Sequence, residues 1–374
     1  MLPGHQDGRR LEMQRIPELD GLRAIAASVI LAFHLSPISF PPGWTGVDLF
    51  FVISGYLITS ILINRPAAPG FLIAFYARRA LRIWPIYYLG LAFIILVNPW
   101  LARPYELTAL GYYLTYTQNV WLYWTEIGPP FNPAFDHTWT LALEEQYYLL
   151  WPVLVMLTPR PWLPALCLSI TALAFLGRQG FELYFIFPLV TPALPARTLL
   201  SRCDGFALGG LLAWLLSSDG PPRRRTLGVF LLAAAGTTAY LGYGFYRGGL
   251  LFLGLPTPAN PALTILIVEI FYFSLVGLTV FHTGSRWLSL LRVGWLRWLG
   301  TISYGIYFYH YIIYWVVDGC AWTDNMNYDQ TWTVRGTKVA ITLAVATVSW
   351  NWIEQPILKL KDHFPYEASP QKQP

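Results

Sequence analysis

Charged residues are scarce in this chain of 374 residues, of which only 12% are Asp, Glu, Lys or Arg. A water-soluble domain carries about 25% charged residues, because its surface must be solvated. Hydrophobic residues make up 55% of the chain, and aromatic residues make up 17%. This composition excludes an ordinary soluble protein. It indicates a surface that faces lipid, with ring side chains anchored at the headgroup level.

Cysteine is also scarce, and no set of side chains has metal-ligand spacing. The three cysteines, Cys167, Cys203 and Cys320, are far apart and lack the pairs or histidine neighbours of a zinc or disulfide framework. We expect them to be packing residues, and we expect no metal cofactor. The net charge of +5 comes from basic residues scattered between apolar runs, so it does not indicate nucleic-acid binding.

Apolar windows of roughly 20 residues recur along the chain, which is the length that crosses about 30 Å of hydrocarbon. The sequence therefore predicts an all-α fold, a polytopic transmembrane helix bundle of about ten spans. The predicted spans are 22–40, 46–63, 83–101, 141–158, 162–177, 198–216, 226–243, 262–281, 298–317 and 336–355. Residues 104–138 are interrupted by Gly, Asn and Pro, and we expect them to form an outer, partly re-entrant segment.

The basic residues predict how these spans are oriented. With the N-terminus in the cytoplasm, 18 Lys and Arg residues fall on the inner side and 7 on the outer, which together account for all 25. The positive-inside rule then places both termini in the cytoplasm. We expect residues 1–17 to be a cytoplasmic N-terminal segment, 18–356 the transmembrane domain, and 357–374 a disordered cytoplasmic tail with no soluble domain appended.

Two ionisable residues lie in the first span, where each costs about 2.5–3.5 kcal/mol on insertion scales. Arg23 and His34 are separated by about 1100° on a helix, three turns plus roughly 20°, so both face the same way and could line one route. Alternatively, Arg23 pairs with Asp20 at i, i+3, and His34 is a neutral imidazole bonded to a neighbouring helix. Histidine has an unperturbed pKa of about 6.5, which makes His34 the leading candidate base.

Acidic residues also occur in apolar helices. Asp48 and Gly55 lie in the second span, where Asp48 could pair with a cation from another span and Gly55 could let helices approach closely. Glu144 and Glu145 open a strongly apolar helix, and helix capping explains one of them but not both. Successive residues are about 100° apart on a helix, so we expect only one of the pair to point into the bundle.

A cluster of arginines, Arg78, Arg79 and Arg82, precedes the third predicted span. One interpretation is anchoring at the inner interface beside anionic membrane lipid. The other is phosphate binding, because forked guanidinium donors match phosphate oxygens. Three further motifs are expected to be mainly architectural, with an ion-pair candidate in the first of them. They are 201–205, 300–310 and 352–356.

Taken together, these motifs resemble the acyltransferase-3 family of membrane acyltransferases, from Glu18 to about Pro356. The marks are Arg23 with His34, the stretch 46–55, the arginine cluster 78–82, and Trp139 to Glu145. Ser303-Tyr304 to His310 and Glu354-Gln355-Pro356 are similar to its closing motifs. The family's usual Trp-Ser-Leu is Trp-Thr-Leu here, and Thr140 keeps the hydroxyl.

The resemblance implies an enzyme that takes an acyl group from cytoplasmic acyl-CoA, in the simplest case acetyl-CoA. The acceptor would be a hydroxyl of an envelope polysaccharide or a small metabolite, and the enzyme a multi-pass protein of the bacterial inner membrane. Arg23 and the arginine cluster 78–82 would bind the donor. His34 would act as general base or as transient acyl carrier, and both possibilities stay open.

The orientation of the His34 imidazole would need a further group. A carboxylate of Glu144 or Glu145 is the expected partner, with Asp48 in reserve. An alternative function is a proton-coupled transporter with a relay of His34, Asp48 and Glu144, although the chain lacks the two similar halves that many carriers have. A third possibility is a non-catalytic membrane scaffold.

Overall fold

A computed structural model describes residues 15–36, 40–64, 69–100, 108–120, 132–184, 197–246, 260–320 and 332–366. All regular secondary structure in these ranges is helical, as predicted for an all-α fold. The α-helices are α1 Pro17–Leu35, α2 Gly46–Ile63, α3 Phe71–Val97, α4 Leu110–Leu114, α5 Trp139–Leu157, α6 Leu163–Tyr184, α7 Leu199–Leu215, α8 Arg223–Tyr246, α9 Pro261–Phe281, α10 Gly294–Thr301, α11 Ser303–Cys320, α12 Trp332–Ser349 and α13 Gln355–Lys359.

Each predicted span overlaps a helix of the structure. Five helices in the described part are long and apolar enough to cross a membrane. They are Pro42–Ile63, Phe71–Val97, Arg160–Gln179, Arg223–Tyr246 and Ala262–Phe281. The remaining predicted spans are shorter or more polar: α7 has 17 residues, and α1 carries Glu18, Asp20 and Arg23. The count of ten spans therefore stays a prediction.

Three predicted boundaries are wrong. Helix α3 begins at Phe71 rather than at 83, because its arginines continue the helix instead of preceding it. The predicted span 298–317 is divided between α10 and α11, which meet at Ile302. The tail was predicted to be disordered from 357, but α13 and a 3₁₀ turn, Leu360–His363, continue the fold, and the description extends to 366. Residues 367–374 lie outside the described part.

The segment 104–138 contains only short helices where it is described. The two with both ends described are α4, with five residues, and a 3₁₀ turn, Pro133–Thr138; residues 118–120 are also helical and adjoin residues outside the described part. Neither is long enough to cross the hydrocarbon core, for which a helix needs about 20 residues. Residues 104–107 and 121–131 lie outside the described part, so the re-entrant path stays a prediction.

Helices α2 and α7 pack backbone to backbone in the bundle. A Cβ atom added to Gly55 would lie 2.1 Å from the carbonyl oxygen of Phe206, and one added to Gly209 would lie 2.2 Å from the carbonyl oxygen of Val52. Only glycine permits such backbone contact, which maximises packing between helices in lipid. The prediction that Gly55 lets helices approach closely is confirmed.

Connections that the sequence assigns to one side of the membrane contact one another. Arg160, before α6, donates to the carbonyl oxygen of Ile63 at the end of α2, at 2.7 Å, and to Asp219 after α7, at 3.2 Å. At the opposite end of the bundle, Arg197 pairs with Asp136 at 3.1 Å. The two ends of the bundle thus agree with the predicted alternation of the spans, whereas the orientation of the termini stays a prediction.

Candidate functional site

A cavity of about 190 Å³ lies between helices α1, α2, α3, α5 and α11. Its apolar walls include Leu57, Ile58 and Ile61 of α2. Its polar lining consists of Arg23, Ser54, Arg79, Arg82, Thr140, Glu144, Tyr148, Tyr304 and Tyr307. Two of the motifs singled out in the sequence, the arginine cluster and the paired glutamates, therefore meet at one cavity.

Three guanidinium groups and one carboxylate line this cavity: Arg23, Arg79, Arg82 and Glu144. None of the seven ion pairs among the described residues involves these arginines. The predicted pair between Asp20 and Arg23 is wrong, because Asp20 accepts a hydrogen bond of 2.7 Å from Arg15. The cavity therefore concentrates positive charge, a setting that favours an anionic ligand.

Arg78 lies apart from the other two arginines of its cluster. Its Nε donates to the carbonyl oxygen of Phe364 at 2.6 Å, and its guanidinium lies 4.5 Å from the centre of the Tyr366 ring. It is not among the residues that line the cavity. The C-terminal segment thus contacts Arg78, and the structure brings only Arg79 and Arg82 of this cluster to the cavity. A donor-binding role for all three arginines stays a prediction.

The two adjacent glutamates point to different surroundings, as the helix geometry predicts. Glu144 lines the cavity and accepts a hydrogen bond of 3.0 Å from Tyr148. Glu145 accepts from the indole N–H of Trp84 at 3.1 Å, and it does not line the cavity. The structure therefore identifies Glu144 as the member of the pair that faces the cavity.

Asp48 of α2 is fully buried and pairs with Arg202 of α7, so the ion pair joins these two helices. The expectation that it pairs with a cation from another span is confirmed. A second buried ion pair, Arg178 with Asp204, lies between α6 and α7. The motif 201–205 thus contributes to two ion pairs, each with a partner outside the motif. Because Asp48 is engaged in this way, its reserve role beside His34 is not supported.

His34 does not contact the carboxylates that the sequence suggested for it. Its Nδ1 lies 3.0 Å from Nε2 of His310 in α11 and 3.1 Å from the carbonyl oxygen of Ile30. Its ring is half-buried and also packs edge-on against Tyr311. The expected contact with Glu144 or Glu145 is wrong in this structure. The relay of His34, Asp48 and Glu144 that a transporter would need is not assembled.

Two histidines beside His34 were not predicted as site residues. His310 and His137 are buried, and their ring centres are 5.1 Å apart. His137 lies next to Phe308, whose carbonyl oxygen accepts from its Nε2 at 3.0 Å. The chain has only 6 histidines, and half of them meet here. That scarcity was the available sequence signal, together with the position of His310 inside the motif 300–310 and of His137 two residues before Trp139.

Thr140 and Tyr307 connect the cavity to the histidines. Thr140 and Tyr307 both line the cavity, and their hydroxyl oxygens are 2.5 Å apart. The Tyr307 hydroxyl also donates to the carbonyl oxygen of His137 at 2.9 Å, and its ring centre lies 5.7 Å from that of His310. Arg23 lines the cavity and His34 does not, so the predicted single route past both residues is not continuous in this structure.

Neither of the two cysteines with a described side chain lines the cavity. Cys167 is buried and Cys203 is half-buried, and both are free thiols, while the side chain of Cys320 lies outside the described part. Within the described ranges, no group of three His, Cys, Asp or Glu side chains is placed to hold a metal ion.

An all-α bundle with membrane-length apolar helices, a cationic cavity and adjacent histidines defines a membrane protein with a candidate active site in its interior. The family model described as an acyltransferase domain matches residues 16–351, and the chain belongs to this family, acyltransferase-3.

Two curated relatives carry names that refer to O-acetyl transfer. The peptidoglycan O-acetyltransferase OatA of Listeria monocytogenes is 29% identical over 380 aligned residues, covering 94% of this chain and 57% of the relative. The O-acetyltransferase OatA of Staphylococcus aureus is 27% identical over 385 residues, covering 95% of this chain and 60% of the relative. The chain thus spans somewhat more than half the length of these relatives. No solved structure matches it.

Proposed function

We propose that the protein is a membrane O-acyltransferase that moves an acyl group, in the simplest case acetyl, from acyl-CoA to a hydroxyl of an envelope glycan. The observation that carries this proposal is the cavity lined by Arg23, Arg79 and Arg82. It combines guanidinium groups that have no ion-pair partner among the described residues with a wall that adjoins three histidines.

The donor would enter at the arginines. The pyrophosphate and 3′-phosphate of CoA are anions that guanidinium forks bind through charge-assisted hydrogen bonds. Pockets that enclose a drug-sized ligand measure about 300–1,000 Å³, whereas this cavity measures about 190 Å³. We therefore infer that it takes the acyl group, the pantetheine arm and the phosphates next to that arm, with the adenosine outside. The apolar residues of α2 suit that arm.

The reaction would take place at His34. As general base, its imidazole removes the proton from the acceptor hydroxyl, whose oxygen attacks the thioester carbonyl carbon. The C–S bond then breaks, and the imidazolium returns the proton to the leaving thiolate. As transient acyl carrier, the imidazole nitrogen forms a C–N bond to the acyl carbon while the C–S bond breaks and the CoA thiolate leaves. In the second step the acceptor hydroxyl oxygen attacks the acyl carbon, the C–N bond breaks, and the hydroxyl proton passes through the imidazole to the thiolate. Either route requires the acyl group to reach His34, which does not line the cavity.

The acceptor is proposed from the names of the relatives, one of which refers to peptidoglycan. A hydroxylated envelope glycan fits an enzyme embedded in the cell membrane as a multi-pass protein, most simply the bacterial inner membrane. A small hydroxylated metabolite is the alternative acceptor. Membrane lipid is the remaining partner, because it solvates the apolar helices.

Purified protein in lipid nanodiscs tests the proposal. With acetyl-CoA labelled in the acetyl group and glycan fragments, we expect free CoA thiol and labelled ester to appear in equal amounts. The matched control is the variant His282→Leu, which removes a histidine at the end of α9, away from the site. If the parent protein releases no thiol and forms no ester with any short-chain acyl-CoA, the proposal is wrong.

A further inference from the structure

The three histidines of the site have different hydrogen-bond partners, and these partners determine where each proton lies. A neutral imidazole carries one N–H group, and its other nitrogen has a lone pair. A carbonyl oxygen only accepts, so a ring nitrogen that contacts a carbonyl oxygen must carry the proton. This rule assigns the tautomers without reference to pKa values.

His310 is the first to be assigned. Its Nδ1 lies 2.5 Å from the carbonyl oxygen of Tyr307, so Nδ1 carries the proton. The Nε2 of His310 therefore has the lone pair, and this nitrogen lies 3.0 Å from Nδ1 of His34.

His34 follows from His310. Its Nδ1 faces two acceptors, the carbonyl oxygen of Ile30 at 3.1 Å and the lone pair of His310. Both require the proton on Nδ1 of His34, which leaves the lone pair on its Nε2. Of the two histidines, only His34 thus has a lone pair on a ring nitrogen that is not part of the contact between them. This nitrogen, Nε2, can accept a proton.

We propose that His310 is a positioning residue for His34, and that it accepts the Nδ1–H hydrogen bond that holds His34 as a base through Nε2. When Nε2 takes a proton, the positive charge on His34 is stabilised by the lone pair of His310. This is the role that the sequence suggested for Glu144 or Glu145. A neutral imidazole performs it here, and backbone contact with Tyr307 fixes the orientation of that imidazole.

His137 does not share this role. Its Nε2 donates to the carbonyl oxygen of Phe308, and its Nδ1 is buried with no hydrogen-bond partner among the described groups. It packs against His310 without a hydrogen bond between the two rings. The pair His34–His310 is therefore the functional unit, and His137 is its packing neighbour.

This inference rests on the proposed function, and substitutions at His310 test it. In the variant His310→Gln, the side-chain oxygen can take the place of Nε2 as acceptor, whereas His310→Leu removes the acceptor. We expect kcat to fall about 10- to 150-fold with Leu, the loss of one hydrogen bond to a charged group, and to recover in large part with Gln. The KM for acyl-CoA should change by less than about threefold, because His310 is proposed to act on the chemical step and not on donor binding.

Two comparisons separate positioning from a general loss of structure. His282, like His310, contacts a backbone carbonyl oxygen of its own helical turn through Nδ1, that of Leu278 at 3.1 Å. The variant His282→Leu is therefore the matched control and should keep full activity. In the double variant His34→Ala with His310→Leu, the second change should add little, because His310 acts through His34. Equal losses for Gln and Leu, full activity of the Leu variant, or additive losses in the double variant would each overturn the inference.

A measurement without turnover decides the point separately from the proposed function. In protein labelled with ¹⁵N histidine, we expect a scalar coupling across the hydrogen bond between Nδ1 of His34 and Nε2 of His310. A proton found on Nε2 of His34, or no coupling, overturns the positioning role even if acyl transfer is observed. If the coupling is present but the parent protein transfers no acyl group, the proposed function fails while the pair itself stands.

Discussion

Two groups of arginines lie inside the helix bundle, and they differ in whether they form ion pairs. Arg178 and Arg202 are each paired with a carboxylate across a helix contact, and all four side chains are at most 4% exposed. Arg79 and Arg82 line a cavity and have no ion pair among the described residues. The first group holds helices together, and the second is available to a ligand.

Free energies explain why this difference is informative. Removing one partner of a buried ion pair costs about 3–5 kcal/mol, because the other charge is left in a medium of low dielectric constant. A cluster of three guanidinium groups beside a single carboxylate is unfavourable for the folded state, so its presence calls for a functional role such as ligand binding. The comparison therefore predicts stability defects in the first group and activity or binding defects in the second.

The largest effect is expected at the reactive end of the second region. His34→Ala should lower acyl transfer by about 10²- to 10⁴-fold, the contribution of a general base. Expression and unfolding should stay near the parent values, because the half-buried ring makes its hydrogen bonds only to Ile30 and His310 among the described residues. Labelled ester formation in nanodiscs is the measurement. Full activity would remove His34 from the mechanism.

Breaking an ion pair of the first region should act on stability. Asp48→Ala leaves the buried guanidinium of Arg202 unpaired, so the free energy of unfolding should fall by about 3–5 kcal/mol. Titration with SDS in mixed micelles measures this change. The double variant Asp48→Ala with Arg202→Met should recover part of the loss, because no charge is then left unpaired. An unchanged unfolding curve for Asp48→Ala would contradict the comparison.

Replacing a cavity arginine should act on donor binding. Arg79→Lys and Arg82→Lys keep the charge but lose the forked donors, and a charge-assisted hydrogen bond contributes about 1.5–3 kcal/mol. At least one of the two variants should bind CoA more than about fivefold more weakly, measured by calorimetry in detergent, with the fold intact.

Arg78→Lys is the matched control for these variants. Its guanidinium contacts Phe364 and Tyr366 outside the cavity, so the affinity for CoA should stay near the parent value. If this variant weakens binding as much as the other two, the sequence-based grouping of all three arginines is restored. If neither cavity variant weakens binding, the donor site lies elsewhere.

The smallest effect is expected at the wall between the cavity and the histidines. Thr140→Ser keeps the hydroxyl that bonds to Tyr307, so activity should stay within about twofold of the parent. Thr140→Val removes that hydroxyl at nearly constant volume. A net hydrogen bond contributes about 0.5–1.5 kcal/mol, so the rate should fall roughly 2- to 12-fold. Initial rates of thiol release measure both. A larger loss with Ser than with Val would contradict this role of the hydroxyl.

The helices could be predicted from sequence because a long apolar run in lipid has few alternatives to a helix. The start of α3 was missed for the same reason, since Arg78, Arg79 and Arg82 end the apolar window although the helix continues through them. Two buried residues, Arg178 and Glu269, were not singled out. Arg178 directly follows the predicted span 162–177, and Glu269 is the lone charge within the long apolar helix α9. Hydropathy finds spans and does not register how buried charges are paired.

The candidate site could be predicted in part. Helix geometry correctly predicted that Glu144 and Glu145 face different surroundings, because successive residues differ by about 100°. It could not predict which helix lies opposite His34, since that depends on packing between residues far apart in the chain. The contact with His310 joins positions that differ by 276 in the sequence. Without this contact, an acid beside the imidazole was the natural expectation.

The ion pair between Asp48 and Arg202 also constrains how the protein is made. Its partners are separated by 154 positions, and a ribosome adds about 5–20 residues per second, so Arg202 is synthesised roughly 8 to 30 s after Asp48. During this interval α2 enters the bilayer with an acid that has not yet met its partner, and the high apolarity of its other residues must compensate. A nascent chain that stalls before α7 keeps Asp48 without Arg202, so its α2 carries a buried acid that has no counter-ion.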